Sequence, residues 1–562
     1  MNTEKILLAL LPFWSPLIPP MGISCLKQFL QKSGYRVSLL DANTVEGFKE
    51  TYNKYFETLK EVIPENRRKN FYNIGHDLLQ NQMMAHLNYE NETEYIELVK
   101  ILIYKNFLYS IDTEDTLKLN RIISAFYVDL ESYFSRWLDK VKPAVLGISV
   151  FRGTLPASLF AFKLTRDRYP HIRTVMGGGI FSQELDIGSE NLKYFLERTP
   201  YIDNILIGEG EILFREFLRG RLPASRRVYC LEDIDNRILD LTSAESPDFS
   251  DFDLRQYPGM AAYTSRSCPF QCSFCAETTY WGKYRKKDVK QVVEEMTGLF
   301  KKYNRQMFLM CDSLLNPIIT DLAGEFVKAG VSIYWDGYLR VDKHACEVEN
   351  TMLWRRGGFY RARIGLESGS PNVLRLMGKN ITPGQMKSVL SNLAEVGIKT
   401  TTYWVIGHPG ETREDFKQTL NFIEEMRDDI YEAECNPFRY FETGQVSAAQ
   451  WNDAKKKIPL YPGTAVDLLM LQTWVLDGEP SREETLHRVE QFVEHCRKLE
   501  IPNPYSLQDI HRADERWKRL HKGAVPSLLE LNEENTYIDE NKYFKKPLRG
   551  ENKFREDGDF GF

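Results

Sequence analysis

Residues 260–275 read Met260-Ala-Ala-Tyr-Thr-Ser-Arg-Ser-Cys268-Pro-Phe-Gln-Cys272-Ser-Phe-Cys275. The stretch predicts a strand over 260–265, followed at once by a loop with three thiols inside eight residues. Downstream, strands are expected at 306–311, 331–338, 361–366 and 399–406, with amphipathic helices between them and a further strand near 432–438. Five or six βα units without doubly wound glycine signatures predict a full or partial barrel over residues 259–440. The thiols therefore sit in the loop after the first strand of that barrel.

Upstream, a different α/β series is expected over residues 1–220. Lys5 to Leu11 is a continuous apolar run of strand length, the pattern of a parallel strand covered on both faces. A helix over 22–32 and a strand over 36–41 complete a βαβ unit. Residues 46–140 interrupt the rhythm with three long helical patterns, a helical insertion whose aromatic stripe reads as core. Strands return at 144–150, 173–176 and 201–208. Their carboxyl ends carry Ser149, Gly177-Gly178-Gly179 and Gly208-Glu-Gly210. Glycines at that edge serve tight turns or the close approach of a ligand, and open α/β sheets bind ligands there. Residues 221–258 lose periodicity and read as a surface linker, whereas 441–562 read as a mainly helical C-terminal region with a polar tail from Glu551 to Phe562.

Composition narrows the class. A chain of 562 residues has room for three or four domains of about 150 residues. Hydrophobic residues make up 43% and charged residues 27%, an ordinary globular balance. The charge, 73 − 79 = −6, offers no footprint for nucleic acid. Nine cysteines are too few for a disulfide scaffold, and the short run Ile6–Leu11 is neither a signal peptide nor a membrane span. The expectation is a cytoplasmic protein without a membrane partner.

Spacings of four and three let Cys268, Cys272 and Cys275 converge on one centre. Three thiolates suit a [4Fe–4S] cluster with one iron left open. A structural zinc would need a fourth ligand, such as the distant Cys311. A disulfide plus one free thiol conflicts with a reducing compartment. Cys25, Cys230, Cys311, Cys346, Cys435 and Cys496 are scattered singles.

With Phe274 before the last thiol, this loop resembles the signature of radical S-adenosylmethionine (SAM) enzymes. The resemblance covers about residues 259–430 and implies a partial (β/α)6 barrel. It also implies a cluster whose open iron binds SAM, and reductive cleavage of SAM to methionine and a 5′-deoxyadenosyl radical. Later segments extend it. Asp312 and Ser313 are similar to residues that contact the SAM amino group. Arg340 resembles the arginine facing its carboxylate. Glu367 and Ser368 resemble the strand end that meets its ribose or amine, and Gly407, Pro409 and Gly410 the backbone that meets adenine. An electron-donating reductase of flavodoxin or ferredoxin type is the partner this chemistry implies.

An α/β domain ahead of such a barrel is similar to the Rossmann-like domain of the cobalamin-binding subclass. The resemblance implies a corrin at the carboxyl edge, near Ser149 to Arg152 and Gly177 to Gly179, with Gly208 and Gly210 along the nucleotide tail. No D-x-H-x-x-G loop is present, so cobalamin is expected base-off without a protein histidine. The implied activity is cobalamin-dependent C-methylation in natural-product or cofactor biosynthesis. The substrate, whether small molecule, peptide or carrier-bound, is left open. Non-methylating radical chemistry (cyclisation, rearrangement, epimerisation or C–S bond formation) and a non-catalytic iron–sulfur or zinc protein are the alternatives. In the C-terminal region, Trp451, Tyr461, Trp474 and Cys435–Phe438 fit a pocket or a core equally well. Ser481 and Glu484 read as a capping box.

Overall fold

The computed structural model of the protein describes residues 4–68, 70–445, 456–503, 507–521 and 523. Its contacts group into two units: residues 1–256, 275–282 and 440–477 form one, and 257–274, 283–439 and 478–562 the other.

The first unit is built on a parallel sheet of six strands in the order β2-β1-β3-β4-β5-β6. These are β1 (Lys5–Leu10), β2 (Arg36–Asp41), β3 (Val145–Ser149), β4 (Arg173–Gly177), β5 (Asn204–Ile207) and β6 (Val228–Cys230). β1 is central, with Ile6 opposite Val37 on one side and Val145 on the other. That position explains its unbroken apolar run. The chain leaves β1 for one edge and returns on the other side, so the topological switch lies between β1 and β3, the crevice where such sheets take ligands. Helices α1 (Met21–Lys32), α2 (Glu46–Val62), α3 (Phe71–Asn88), α4 (Glu92–Phe107), α5 (Thr113–Val141), α6 (Leu155–Arg168), α7 (Glu190–Arg198) and α8 (Gly210–Leu218) complete its α/β body and insertion. The short α9 (Glu277–Trp281) lies against the turn Gly179–Ser182.

Two sequence expectations change here. The insertion holds four helices, α2 to α5, rather than three. α3 is rich in Asn, Gln and His and contains Gly75, which obscures its period. Gly75 is nevertheless required, since a Cβ there would stand 2.7 Å from the Phe56 ring on α2. The segment 221–258 is also not a plain linker. It supplies the edge strand β6 and buries Tyr229, Ile234, Leu241, Phe249 and Tyr257. A three-residue strand is too short to show a period, so its pairing with β5 had to come from the tertiary fold.

The second unit is a run of parallel βα units. β7 (Met260–Ala262) leads into the small ribbon of β8 (Ser265–Arg266) and β9 (Arg285–Lys286). The remaining strands are β10 (Met307–Met310), β11 (Tyr334–Leu339), β12 (Phe359–Glu367), β13 (Lys399–Ile406) and β14 (Glu432–Pro437). With β7 they form a six-stranded sheet in sequential order, the partial barrel. Between them run α10 (Val289–Tyr303), α11 (Ile319–Ala329), α12 (Val348–Arg356), α13 (Pro371–Leu376), α14 (Pro383–Glu395) and α15 (Arg413–Glu425). Asp288, Ser370, Thr382 and Thr412 start α10, α13, α14 and α15 by accepting their first free N–H groups. Strand residues alternate, apart from register shifts at Trp335/Asp336 and Gly365/Glu367. Trp335 and Trp404 turn outward onto Phe326, Phe359, Phe422 and Phe492, whereas Asp336, Arg361, Arg363, Tyr338 and Tyr403 share the opposite face.

The C-terminal region is less uniform than expected. β15 (Lys457–Pro459) and β16 (Trp474–Leu476) pair antiparallel around α16 (Ala465–Leu469). These residues group with the first unit, where α16 packs on α3 and Asn88 donates to the Leu468 carbonyl at 3.0 Å. Tyr461 is buried and receives Asn106 Nδ2 at 3.3 Å, which makes it core. Trp474 is half-buried under Lys457, and Cys435 is wholly buried. Trp451 and the tail Glu551–Phe562 lie outside the described residues. α17 (Arg482–Lys498) and α18 (Leu507–Leu520) belong to the second unit. Ser481 caps α17 through Glu484 N, but the Glu484 carboxylate turns to Arg488 instead of closing the box. No described helix is long and apolar enough to cross a membrane.

Candidate functional site

The loop after β7 is held from below by a carboxylate. Asp312, just past β10, accepts Thr264 N at 3.0 Å, Thr264 Oγ1 at 2.5 Å and Ser265 Oγ at 2.7 Å. It is almost wholly buried, and burial pushes its carboxyl above the ordinary carboxylate range. Asp312 thus holds the turn that launches the cysteines. Ser313 follows it, half-buried.

Cys268, Cys272 and Cys275 are not joined in disulfides, Cys272 being buried and the other two half-buried. The loop is tied to the end of α13, where Ser273 donates through N to Met377 O at 3.0 Å and through Oγ to Leu376 O at 3.2 Å. Two cations face it. Arg340, just past β11, places Nη1 3.1 Å from Cys272 Sγ and stacks on the Phe270 ring at 4.2 Å. Lys379 lies over Phe274 at 5.8 Å. Burial raises the Cys268 thiol, while Arg340 and Lys379 pull it down. Cations around thiols offset the charge that three thiolates bring, so the donor set suits a cluster. Among the described residues, no three His, Cys, Asp or Glu side chains close tightly enough to hold a single metal ion. A cubane asks for a wider set, one thiolate to a corner.

Glu367 ends β12 with φ +67°, a left-handed conformation that costs a non-glycine residue about 1 kcal/mol or more. Lys379 Nζ holds its carboxylate at 2.7 Å. The strain turns Glu367 back toward Lys379 beside the cysteine loop, and Gly365 leaves the room: a Cβ there would be 2.3 Å from Glu367 Oε1. Lys379 was not singled out from the sequence, since a lysine in a turn carries no local signal. Ser368 is used inside the fold, bonded to Thr419 Oγ1 at 3.1 Å and accepting Ser370 N.

The turn after β13 is shaped by α17. Gly407 and Gly410 have φ +77° and +86°. A Cβ on Gly407 would fall 2.1 Å from Thr485 Oγ1. Gly407 N donates to Glu411, whose other oxygen accepts Arg488 Nη1 at 2.7 Å. Gly410 N donates to Glu479 O. The Pro409 carbonyl accepts His408 Nδ1 at 3.0 Å, and burial lowers the His408 pKa to about 4, so the ring is neutral. Burial likewise raises Glu411 to about 7 against the pull of Arg488.

In the first unit, the expected ligand loops do stand at the carboxyl edge, but the chain already uses their glycines. A Cβ on Gly178 would meet Val150 N at 2.5 Å and approach Ser149 Oγ at 3.1 Å. One on Gly179 would strike Phe151, and one on Gly208 would strike Leu231. Gly177 approaches Leu206 O and Gly210 approaches Leu26 more loosely. Arg152 pairs with Glu184 and lies 3.6 Å from Asp77. A histidine that sequence reasoning passed over comes close: His76, on α3, stands 3.0 Å from where a Gly153 Cβ would be.

The sequence profile of the Radical SAM superfamily matches residues 263–423. Residues 263–423 thus form a radical SAM domain. Its barrel, from the cysteine loop to α15, is the matched part. The chain is 26% identical over 332 residues to an uncharacterized methyltransferase, PH0819, of Pyrococcus horikoshii, covering 54% of this chain and 70% of that one. It is 24% identical over 325 residues to an anaerobic magnesium-protoporphyrin IX monomethyl ester cyclase of Rubrivivax gelatinosus, of which it spans 56%. Among solved structures, the radical SAM methyltransferase TsrM of Kitasatospora setae, with cobalamin and a [4Fe–4S] cluster bound, is similar at TM-score 0.55 and 15% identity, covering 91% of this chain and 92% of that one. A second TsrM structure, with tryptophan and a SAM analogue, reaches 0.59 at 14% identity, covering 91% of each chain. At these identities the likeness is one of fold. It extends over both α/β parts of this chain.

Proposed function

We propose that this chain is a cobalamin-dependent radical SAM methyltransferase, acting on carbon in natural-product or cofactor biosynthesis. The observation that carries the reading is the loop of three thiols after the first barrel strand, with Arg340 on Cys272 and Lys379 beside it. When bound, the cluster supplies the electron that cleaves SAM to methionine and a 5′-deoxyadenosyl radical, and cobalamin supplies a methyl carrier.

Cys268, Cys272 and Cys275 would hold three irons. Asp312, Thr264 and Ser265 hold the loop in place. Arg340 would hold the SAM carboxylate, and Glu367, oriented by Lys379, would hold its ribose or amine. The turn from Gly407 to Glu411, braced by Arg488, carries the adenine. Ser149, Gly177–Gly179, Gly208 and Gly210 line the sheet edge where the corrin would rest; here the support is their position at the β1/β3 switch and its neighbouring strand ends. A small one-electron donor protein of flavodoxin or ferredoxin type completes the system.

Anaerobic reconstitution with iron, sulfide and hydroxocobalamin tests the reading. The expected result is a brown protein that keeps corrin absorbance after desalting and forms S-adenosylhomocysteine together with 5′-deoxyadenosine from SAM. Loss of the corrin on desalting sinks the cobalamin assignment, and 5′-deoxyadenosine alone points to non-methylating radical chemistry.

A further inference from the structure

The inward face of the barrel strands carries charge that no role above uses. β11 presents Asp336 and Tyr338, β12 presents Arg361 and Arg363, and β13 presents Tyr403. Asp336 is completely buried and shared: Arg361 Nη2 reaches Oδ2 at 2.6 Å, and Arg363 Nη2 reaches Oδ1 at 3.1 Å. One carboxylate thus answers two guanidinium groups. Glu432 carries only part of a negative charge near neutral pH, because burial raises it to about 7 despite the opposing pull of Arg361. Glu434, on the far wall beside Tyr403, is the other acid on this face.

Arg363 is the residue left incomplete. Both of its hydrogen bonds run from Nη2, to Asp336 and to Met310 O at 2.6 Å. Its Nε is buried and has no partner among the described residues. A guanidinium has five N–H groups in a rigid fork, and leaving one buried and unpaired is unfavourable. Its side chain is 14% exposed, so it still meets open space. The Tyr338 ring lies under it at 4.2 Å, and Tyr338 and Tyr403 stand 5.7 Å apart at 40°. Arg363 lies two residues before Gly365 on β12 and ahead of the register shift that leads to Glu367, below the level assigned to SAM.

We propose that Arg363 anchors a carboxylate of the molecule to be modified, with the body of that molecule against Tyr338 and Tyr403. The substrate class is therefore a monoanionic organic acid with a planar or apolar body. Glu434, paired with Tyr403 on the adjacent strand, disfavours a dianion such as a phosphate monoester. This deepens the radical SAM reading and rests on it, since that reading puts SAM above and the substrate below. A carboxylate at this site has two possible sources, the substrate or the methionyl end of SAM, and the test separates them.

The cluster-loaded full chain is titrated with phenylacetate and with its neutral amide, followed by ligand-detected NMR, while SAM affinity is measured by equilibrium dialysis. The wild type is expected to prefer the acid over the amide by at least about tenfold. Arg363→Gln should abolish that preference and change SAM affinity by less than about twofold, while Arg363→Lys keeps part of it. Equal binding of acid and amide by the wild type overturns the proposal, as does a preference that survives Arg363→Gln. A tenfold loss of SAM affinity in Arg363→Gln also overturns it and assigns the arginine to SAM. If Arg363→Gln does not fold, Tyr338→Leu leaves both arginines paired and should weaken phenylacetate at least fivefold; unchanged affinity there overturns the proposal. Failure of the radical SAM reading looks different: the wild type then holds no cluster or binds no SAM.

Discussion

Lys379 and Glu367 are both nearly buried and bonded at 2.7 Å, beside the thiols. Removing one partner of such a pair strands the other charge, at a cost on the order of 3–5 kcal/mol. Lys379→Met is therefore expected to free Glu367 from its strained orientation and weaken SAM binding about tenfold in equilibrium dialysis, with iron content retained. Unchanged SAM affinity would show that Lys379 does not orient Glu367. Glu432 makes a second prediction. Burial lifts its pKa from an ordinary 4.5 to about 7, against the pull of Arg361. Between those values the folded chain binds the proton and the unfolded chain does not, so stability falls as pH rises through the window. Glu432→Gln keeps the neutral form at every pH. Its urea unfolding free energy is expected to lose on the order of 2 kcal/mol less than the wild type between pH 5 and pH 7.5. An identical decline in both proteins would place the titration elsewhere.

At the scale of elements, two supports shape the SAM-facing loops. Asp312 ties the end of β10 to the turn between β7 and β8 through three side-chain and backbone donors. Asp312→Ala leaves the buried Thr264 and Ser265 donors without an acceptor, which costs about 2–4 kcal/mol and loosens the cysteine loop. Iron per chain after reconstitution is expected to fall below half of the wild-type value; full loading at wild-type stability would refute the anchor. The second support is α17. Arg488 reaches from it to Glu411, and Thr485 fills the space behind Gly407. Gly407→Ala meets both a forbidden φ and Thr485. It is expected to raise the SAM Kd about tenfold or more, and Gly407→Ala with Thr485→Ser should recover only the part due to contact. α17 comes from a stretch whose helix was legible from Ser481 onward, but its grip on the turn after β13 was not. The bond joins residues 77 positions apart.

On the scale of the whole molecule, the chain joins a switched α/β sheet and a sequential one. Under the proposed function, the first sheet would take a corrin without a ligand histidine in its own loops, and the insertion brings His76 to Gly153. Electron paramagnetic resonance of the reduced cobalamin-loaded protein is expected to show no nitrogen coupling, with the same spectrum in His76→Ala. A nitrogen splitting that disappears in His76→Ala would make His76 the axial ligand. Much of this architecture was legible from residues alone. The run Lys5–Leu11 announced a central parallel strand, and the spacing of Cys268, Cys272 and Cys275 announced a cluster and its family. Local pattern suffices there, because strand burial and ligand spacing are properties of adjacent residues. β6 was lost for want of length, and α3 for its polar composition. Arg361 and Arg363 did leave a trace, an alternation of charge with Tyr360, Ala362 and Ile364 on a strand that should otherwise read apolar throughout. What that alternation meant was decided only by curvature, which turned one face of β12 toward a polar lumen. The sequence by itself determined the two α/β series and the cysteine chemistry. Tertiary structure decided which partners answer each charge: Lys379 for Glu367, Thr264 for Asp312, one aspartate for two arginines. Pairing of buried charges depends on distance through space, and the chain between those partners carries no record of it.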